Sequence, residues 1–217
     1  MELSKYTKNF FDTFSLVLLL SAHMIQRSLV LLKQDSIRRG ITGEIIHRLE
    51  RTGLKIIGLK LVIPTEEMAK QHYITTDANL KAMGEKTLAD CLENSIDPVE
   101  NMGSADPLVL GRTIWECNVE FLKSGPIIAM VFEGPYAIMN IRNIVGHTVP
   151  AKAVPGTIRG DFALDTAVSA NKRKRSIYNL VHASGNLEEA EREINLWFSK
   201  DELVTYKRLH EDFYSYA

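Results

Sequence analysis

The sequence predicts an α+β fold of ferredoxin-like type, a βαββαβ antiparallel sheet with helices packed on one face. Three observations predict it. Short apolar runs of strand length, at residues 27–33, 54–63, 127–132 and 177–181, alternate with longer segments of helical spacing. Gly, Pro and Asn punctuate the joints between them. Once one loosely patterned stretch, residues 75–111, is set aside as an insertion, the order is that of two strand–helix–strand halves. With 217 residues, 45% hydrophobic and 24% charged, the chain has the make-up of a globular protein with a real core.

Residues 27–33 form a continuous apolar run closed by Lys33, as a strand buried on both faces would. Residues 34–40 read as a polar connector. Ile41, Ile45, Ile46 and Leu49 make a helical stripe that stops at Gly53. The strand at 54–63 is ended by Pro64, and Thr65-Glu66-Glu67 opens a helix carrying Met68, Ala69 and Tyr73. Inside the insertion, residues 80–92 have helical spacing and residues 96–107 are broken by Asn, Asp, Pro and Gly. A helix is expected at 112–123, a third strand at 127–132, and a helix with Arg142 at 136–145. Residues 149–160 read as a Pro/Gly-rich loop holding Lys152 and Arg159. A basic tip, Asn171-Lys172-Arg173-Lys174-Arg175, sits in a second, shorter insertion at about 169–176.

The chemistry concentrates at Tyr178-Asn179-Leu180-Val181-His182-Ala183-Ser184-Gly185. His182 stands at a strand end and faces the start of a helix at 186–198, which Ser184 or Asn186 can cap. Leu187, Ala190, Ile194 and Trp197 are its expected apolar stripe. Free backbone N–H groups at a helix start welcome phosphate. Such a histidine is either a nucleophile toward a phosphoryl group or an inert hydrogen-bonded ring. Asn179 is three residues earlier and would point to the opposite face in a regular strand. To share a site with His182 it must belong to the loop before the strand.

A net charge of −1 gives the molecule no global field for nucleic acid or acidic membranes, so any anion site must be a local cluster. No Gly-x4-Gly-Lys-Ser/Thr loop, Gly-x-Gly-x-x-Gly turn or zinc spacing occurs. Nucleotide phosphates would have to be held by scattered cations such as Lys33, Arg142 and Arg159. Cys91 and Cys117 form no metal or redox motif, which fits a reduced, cytoplasmic setting. The apolar run at 14–22 is too short to cross a bilayer. Residues 1–23 read as an N-terminal extension, and residues 24–217 as the domain proper.

Five blocks, in order, resemble the nucleoside diphosphate kinase family. They are Lys33-Gln34-Asp35-Ser36-Ile37-Arg38-Arg39-Gly40; Ser124-Gly125-Pro126 with Val131-Phe132-Glu133-Gly134; Pro155-Gly156-Thr157-Ile158-Arg159-Gly160-Asp161-Phe162; Asn179-Leu180-Val181-His182-Ala183-Ser184; and the stretch 191–198. The resemblance implies transfer of the γ-phosphate of a nucleoside triphosphate to a nucleoside diphosphate through a phosphohistidine, with ATP as donor and Mg²⁺ riding on the nucleotide. It implies His182 as phosphate carrier, Glu193 as the carboxylate that fixes its tautomer, and Lys33 and Tyr73 beside the transferred phosphate. Arg142, Thr148 and Arg159 would hold the nucleotide phosphates and Asn179 the sugar. Against the base, either Ile114 gives an apolar wall or Trp115 gives a stacking ring. The family's symmetric tetramers or hexamers imply a homo-oligomer.

The chain departs from the family pattern in two places. Gln34-Asp35-Ser36 stands where the family has Pro-Asp-Gly, and Ala183-Ser184-Gly185 where it has Gly-Ser-Asp. Neither change removes a phosphate ligand. The alternative is a catalytically weak nucleotide-binding or regulatory protein of the same fold. Nucleic-acid binding through residues 172–175 is the less favoured reading, since four charges on a loop are usually a solvated tip.

Overall fold

The computed structural model describes residues 25–209, so the expected extension at 1–23 lies outside the described residues. Four strands, β1 (Ile25–Leu32), β2 (Lys55–Val62), β3 (Ile127–Pro135) and β4 (Val181–Ala183), form one sheet in the order β2-β3-β1-β4. β1 pairs antiparallel with both β3 and β4, and β2 pairs antiparallel with β3. β1 and β2 therefore run the same way with β3 between them, the split βαβ arrangement expected from the sequence.

Side chains alternate across β1, and that alternation creates two apolar layers. Val30 and Leu32 face one side with Met130 and Phe132, packing on α2 (Thr42–Glu50) and α7 (Ala137–Val145) through Ile45, Leu49, Ile141 and Val145. Leu29 and Leu31 face the other side with Ala129 and Val131. There they meet α3 (Glu66–His72), α6 (Pro107–Lys123) and α10 (Leu187–Trp197) through Ala69, Leu122, Ile194 and Trp197. The expected helical layer is thus one of two, because β1 and β3 are apolar on both faces and each face needs a cover.

The insertion is helical rather than irregular. It holds α4 (Asp77–Glu93) and α5 (Pro98–Met102), and it lengthens α6 to begin at Pro107. Asp97 and Asp106 cap the last two, each with proline in the first turn, so the Asp-Pro punctuation marks helix starts. α4 and α6 pack closely at Gly84 and Gly111. A Cβ on Gly84 would stand 1.8 Å from the carbonyl oxygen of Pro107, and one on Gly111 would stand 1.9 Å from that of Leu80.

Other expectations shift locally. The polar run at 34–40 contains a short helix, α1 (Gln34–Arg38), and the Pro/Gly-rich loop contains α8 (Ile158–Phe162), capped by the Thr157 hydroxyl. The basic tip is partly helical, as α9 (Ala167–Lys172). The last strand is Val181–Ala183 rather than 177–181, because Leu180 has φ +68° and breaks the extended run before it. Leu187 is exposed, so the buried stripe of α10 begins at Ala190.

Candidate active site

His182 lies within β4, directly opposite Leu31 of β1. Opposed residues of an antiparallel pair share a face, so the ring points into the layer of Leu29 and Leu31, under α3 and α10. Glu193 projects from α10 into that layer and is 1% exposed. Its two carboxylate oxygens each lie 3.0 Å from His182 Nε2. The Ser184 hydroxyl donates to Glu193 Oε2 at 2.7 Å and accepts from the Leu29 N–H at 3.2 Å. Burial pushes the Glu193 carboxyl up, but the adjoining imidazole and the Ser184 hydroxyl outweigh it and hold the group below the ordinary range. The carboxylate thus engages Nε2, and Nδ1 is left as the ring nitrogen available for chemistry.

Period-2 alternation continues from Leu29 and Leu31 to Lys33, whose buried ammonium donates to Asn179 Oδ1. Burial and the nearby Arg159 lower its pKa to about 8, against the opposing pull of Asp35. Asn179 precedes β4, as required for it to share a site with His182, and its Nδ2 donates to the Thr148 carbonyl at 2.7 Å. Leu180 in its left-handed conformation carries local strain of about 1–3 kcal/mol. Its N–H donates to Asp35 Oδ2 at 2.9 Å and its carbonyl accepts from the Lys33 N–H at 2.8 Å, which holds the kink.

Arg159, on α8, is buried and donates to the carbonyls of Asn179 (3.0 Å), Gly146 (2.9 Å) and Val181. Burial and the neighbouring Arg142 lower its pKa to about 10. Arg142 itself is exposed on α7. Tyr73 ends α3, and burial together with the Glu193 charge raises its phenol well above the usual value, so it stays a donor.

Lys33, Tyr73, Ile114, Arg142, Thr148, Arg159, Asn179 and His182, eight of the nine residues singled out from the sequence, line one cleft of about 850 Å³. Glu193, the ninth, stands behind His182. Of the two candidates for the base, Ile114 faces the cleft, while Trp115 packs on the second apolar layer and donates its indole N–H to the Tyr73 carbonyl at 2.7 Å. Of the basic tip, Arg175 reaches the cleft and is paired with Asp165 through both oxygens, whereas Lys172, Arg173 and Lys174 are exposed.

Two site residues were missed from the sequence. Asp35 drew attention only as part of a motif. His72, at the end of an amphipathic helix, carried no signal of burial. Its ring packs edge-to-face on His182, with centroids 4.4 Å apart, and its Nδ1 accepts the Trp197 indole N–H at 3.3 Å. Burial, with His182, Arg192 and Lys33 nearby, keeps its pKa well below the usual value, so it is neutral.

A half-buried imidazole with one ring nitrogen paired to a buried carboxylate and the other beside a cationic cleft can accept a group from an anionic donor. Comparison with known proteins agrees with that chemistry. A family model described as "Nucleoside diphosphate kinase" matches residues 26–83 and 109–203. The chain is similar to a nucleoside diphosphate kinase of Pyrobaculum aerophilum, 42% identical over 180 residues, 83% of this chain and 98% of that one. One from Archaeoglobus fulgidus is 38% identical, over 87% of this chain and 96% of that one. Among solved structures, an NDP kinase from Pyrobaculum aerophilum superposes with a TM-score of 0.79 at 40% identity, covering 83% of this chain and 100% of that one. A transition-state mimic of the Borrelia burgdorferi enzyme with bound vanadate and ADP superposes with a TM-score of 0.69 at 33% identity, covering 87% and 96%.

Proposed function

The chain belongs to the nucleoside diphosphate kinase family, and on that footing we propose that His182 carries the phosphoryl group on Nδ1. The enzyme transfers the γ-phosphate of a nucleoside triphosphate to a nucleoside diphosphate. In the first half-reaction the Nδ1 lone pair attacks the γ-phosphorus. The N–P bond forms as the bond to the bridging oxygen breaks, and that oxygen leaves on the nucleoside diphosphate. In the second half, a β-phosphate oxygen of another diphosphate takes the phosphoryl group and frees the ring.

The bond between His182 Nε2 and Glu193 carries this assignment. A carboxylate holding the proton on Nε2 leaves Nδ1 unprotonated and stabilises the positive ring that forms when phosphorus bonds there. Lys33, Arg142 and Arg159 neutralise the phosphates, and the Tyr73 phenol donates to the group in flight. Thr148 joins the arginines at the phosphates, and Asn179 meets the sugar. Lys33, Arg142 and Arg159 make the phosphate end of the cleft cationic, and the carboxylates that line the cleft are already engaged, Asp90 and Glu93 by Lys152 and Glu189 by the Gly185 N–H. Mg²⁺ therefore arrives as part of the substrate, on the phosphates of ATP. Residues 24–217 act as one catalytic domain. Radiolabelled ATP should label the protein with acid-labile, base-stable phosphate. Label persisting in His182→Asn, or none in the native protein, rejects the assignment and favours a binding or regulatory role.

A homo-oligomer is part of this reading. β2 is an edge strand, and Leu59 and Leu61, with Ile63 just beyond it, stand exposed on that edge. An apolar edge of that kind is normally covered, here by a second copy. A cytoplasmic location suits the substrates, and among the described residues no helix is long and apolar enough to cross a membrane.

A further inference from the structure

The family model leaves residues 84–108 unmatched, yet part of that segment lines the nucleotide cleft. α4 has two faces. Leu80, Gly84, Thr87 and Cys91, spaced four, three and four apart, are buried, and the close approaches at Gly84 and Gly111 show that this face meets α6. Met83, Lys86, Asp90 and Glu93, spaced three, four and three, form the other stripe and line the cleft. The stripe offers a donor, Lys86, with no ion-pair partner among the described residues, followed by two acceptors.

This wall is fixed in place from both sides. Glycine contacts lock it to α6. Across the cleft, Lys152, from a short 3₁₀ turn (Pro150–Lys152), bonds Asp90 Oδ1 and Glu93 Oε2, each at 2.8 Å. Lys86 and Lys152 balance Asp90 and Glu93, so this end of the cleft has no surplus positive charge to draw a polyphosphate chain. The phosphates therefore go to Lys33, Arg142 and Arg159, and the base comes to the α4 wall, with Ile114 offering an apolar surface to its face.

We propose that the added wall selects guanine nucleotides, a statement that rests on the phosphotransfer reading above. Guanine presents a carbonyl oxygen, an N1–H and a 2-amino group along one edge. Lys86 donates to the carbonyl, and the free lone pairs of Asp90 and Glu93 accept from the two nitrogens. Adenine lacks the carbonyl, uracil and thymine lack the amino group, and cytosine lacks an N–H beside its amino group. A site built to hydrogen-bond such groups discriminates against bases that lack them.

The test compares kcat/KM for GDP, ADP, CDP and UDP as acceptors, with His182 phosphorylation of the native protein measured alongside. Native enzyme should favour GDP about tenfold, the scale of one solvent-exposed charged hydrogen bond. The doubly substituted D90N/E93Q and the single K86M should bring the four acceptors close to parity. K152M keeps both carboxylates and should keep the preference. Equal use of the four acceptors by native enzyme overturns the proposal, as does a preference for another base, or a guanine preference that D90N/E93Q leaves intact. Loss of the preference in K152M equal to that in D90N/E93Q also overturns it, by assigning selection to the latch instead. A native protein that forms no phosphohistidine fails at the function itself. One that forms it and shows no selectivity fails only here.

Discussion

Both carboxylate oxygens of Glu193 lie 3.0 Å from Nε2 of His182, and the second also accepts the Ser184 hydroxyl. The carboxylate is thus committed to one ring nitrogen. Glu193→Gln preserves the shape but turns an obligate acceptor into a group that can donate to Nε2 and send the proton to Nδ1. The rate of His182 phosphorylation should fall by about 10²–10⁴, measured by quench-flow with labelled ATP. A rate within twofold of native would show that the tautomer is set by something else.

Ser184→Ala leaves the Leu29 N–H and one Glu193 lone pair without their buried partner. We expect a loss of about 1–3 kcal/mol in urea unfolding, together with a rise in the Glu193 pKa, since a hydrogen bond that stabilises its charged form is gone. Unchanged stability would mean that water replaces the hydroxyl.

The Lys33 ammonium is held at about pKa 8, below its ordinary value, chiefly by burial. Its charge is present below that pH and lost above it, so nucleotide affinity should weaken as pH rises through 8. Bound phosphate favours the charged form, so binding near pH 8 to 9 should take up protons, visible in calorimetry across buffers of different ionisation enthalpy. The stability sign is opposite. The unfolded chain binds more protons between about pH 8 and 10.5, so the cost of burying this lysine shrinks as pH rises through that window. Lys33→Met should abolish the proton uptake.

Gly84→Ala drives a methyl group into the Pro107 carbonyl. Backbone has to move, and a cost of about 1–3 kcal/mol is expected. Hydrogen exchange should localise the loosening to α4 and α6, with β1 and β3 still protected. Uniform loss of protection would show that α4, α6 and the sheet unfold as one unit.

The sheet and its order were legible because β1 to β3 are apolar enough to mark themselves, and the pairing of His182 with Glu193 was legible through motif and spacing. What stayed hidden depends on contacts distant in sequence. The polar run at Gln34 becomes helical with Gln34, Asp35 and Ser36 buried, and Asp35 reaching Leu180. β4 starts late because Leu180 is turned by those same contacts. His72 ends a helix with a charged surface, and only the fold brings Trp197 and His182 against it.

Arg159 reaches backbone oxygens at Gly146, Asn179 and Val181, so a side chain expected to serve the substrate also laces together the loop after α7 and the approach to β4. Lysine in its place would keep a positive charge but lacks the planar fork needed to grip three carbonyls. A single guanidinium thus ties the strand that bears His182 to the loop beside it, so its loss would slacken the scaffold of the cleft as well as remove a charge.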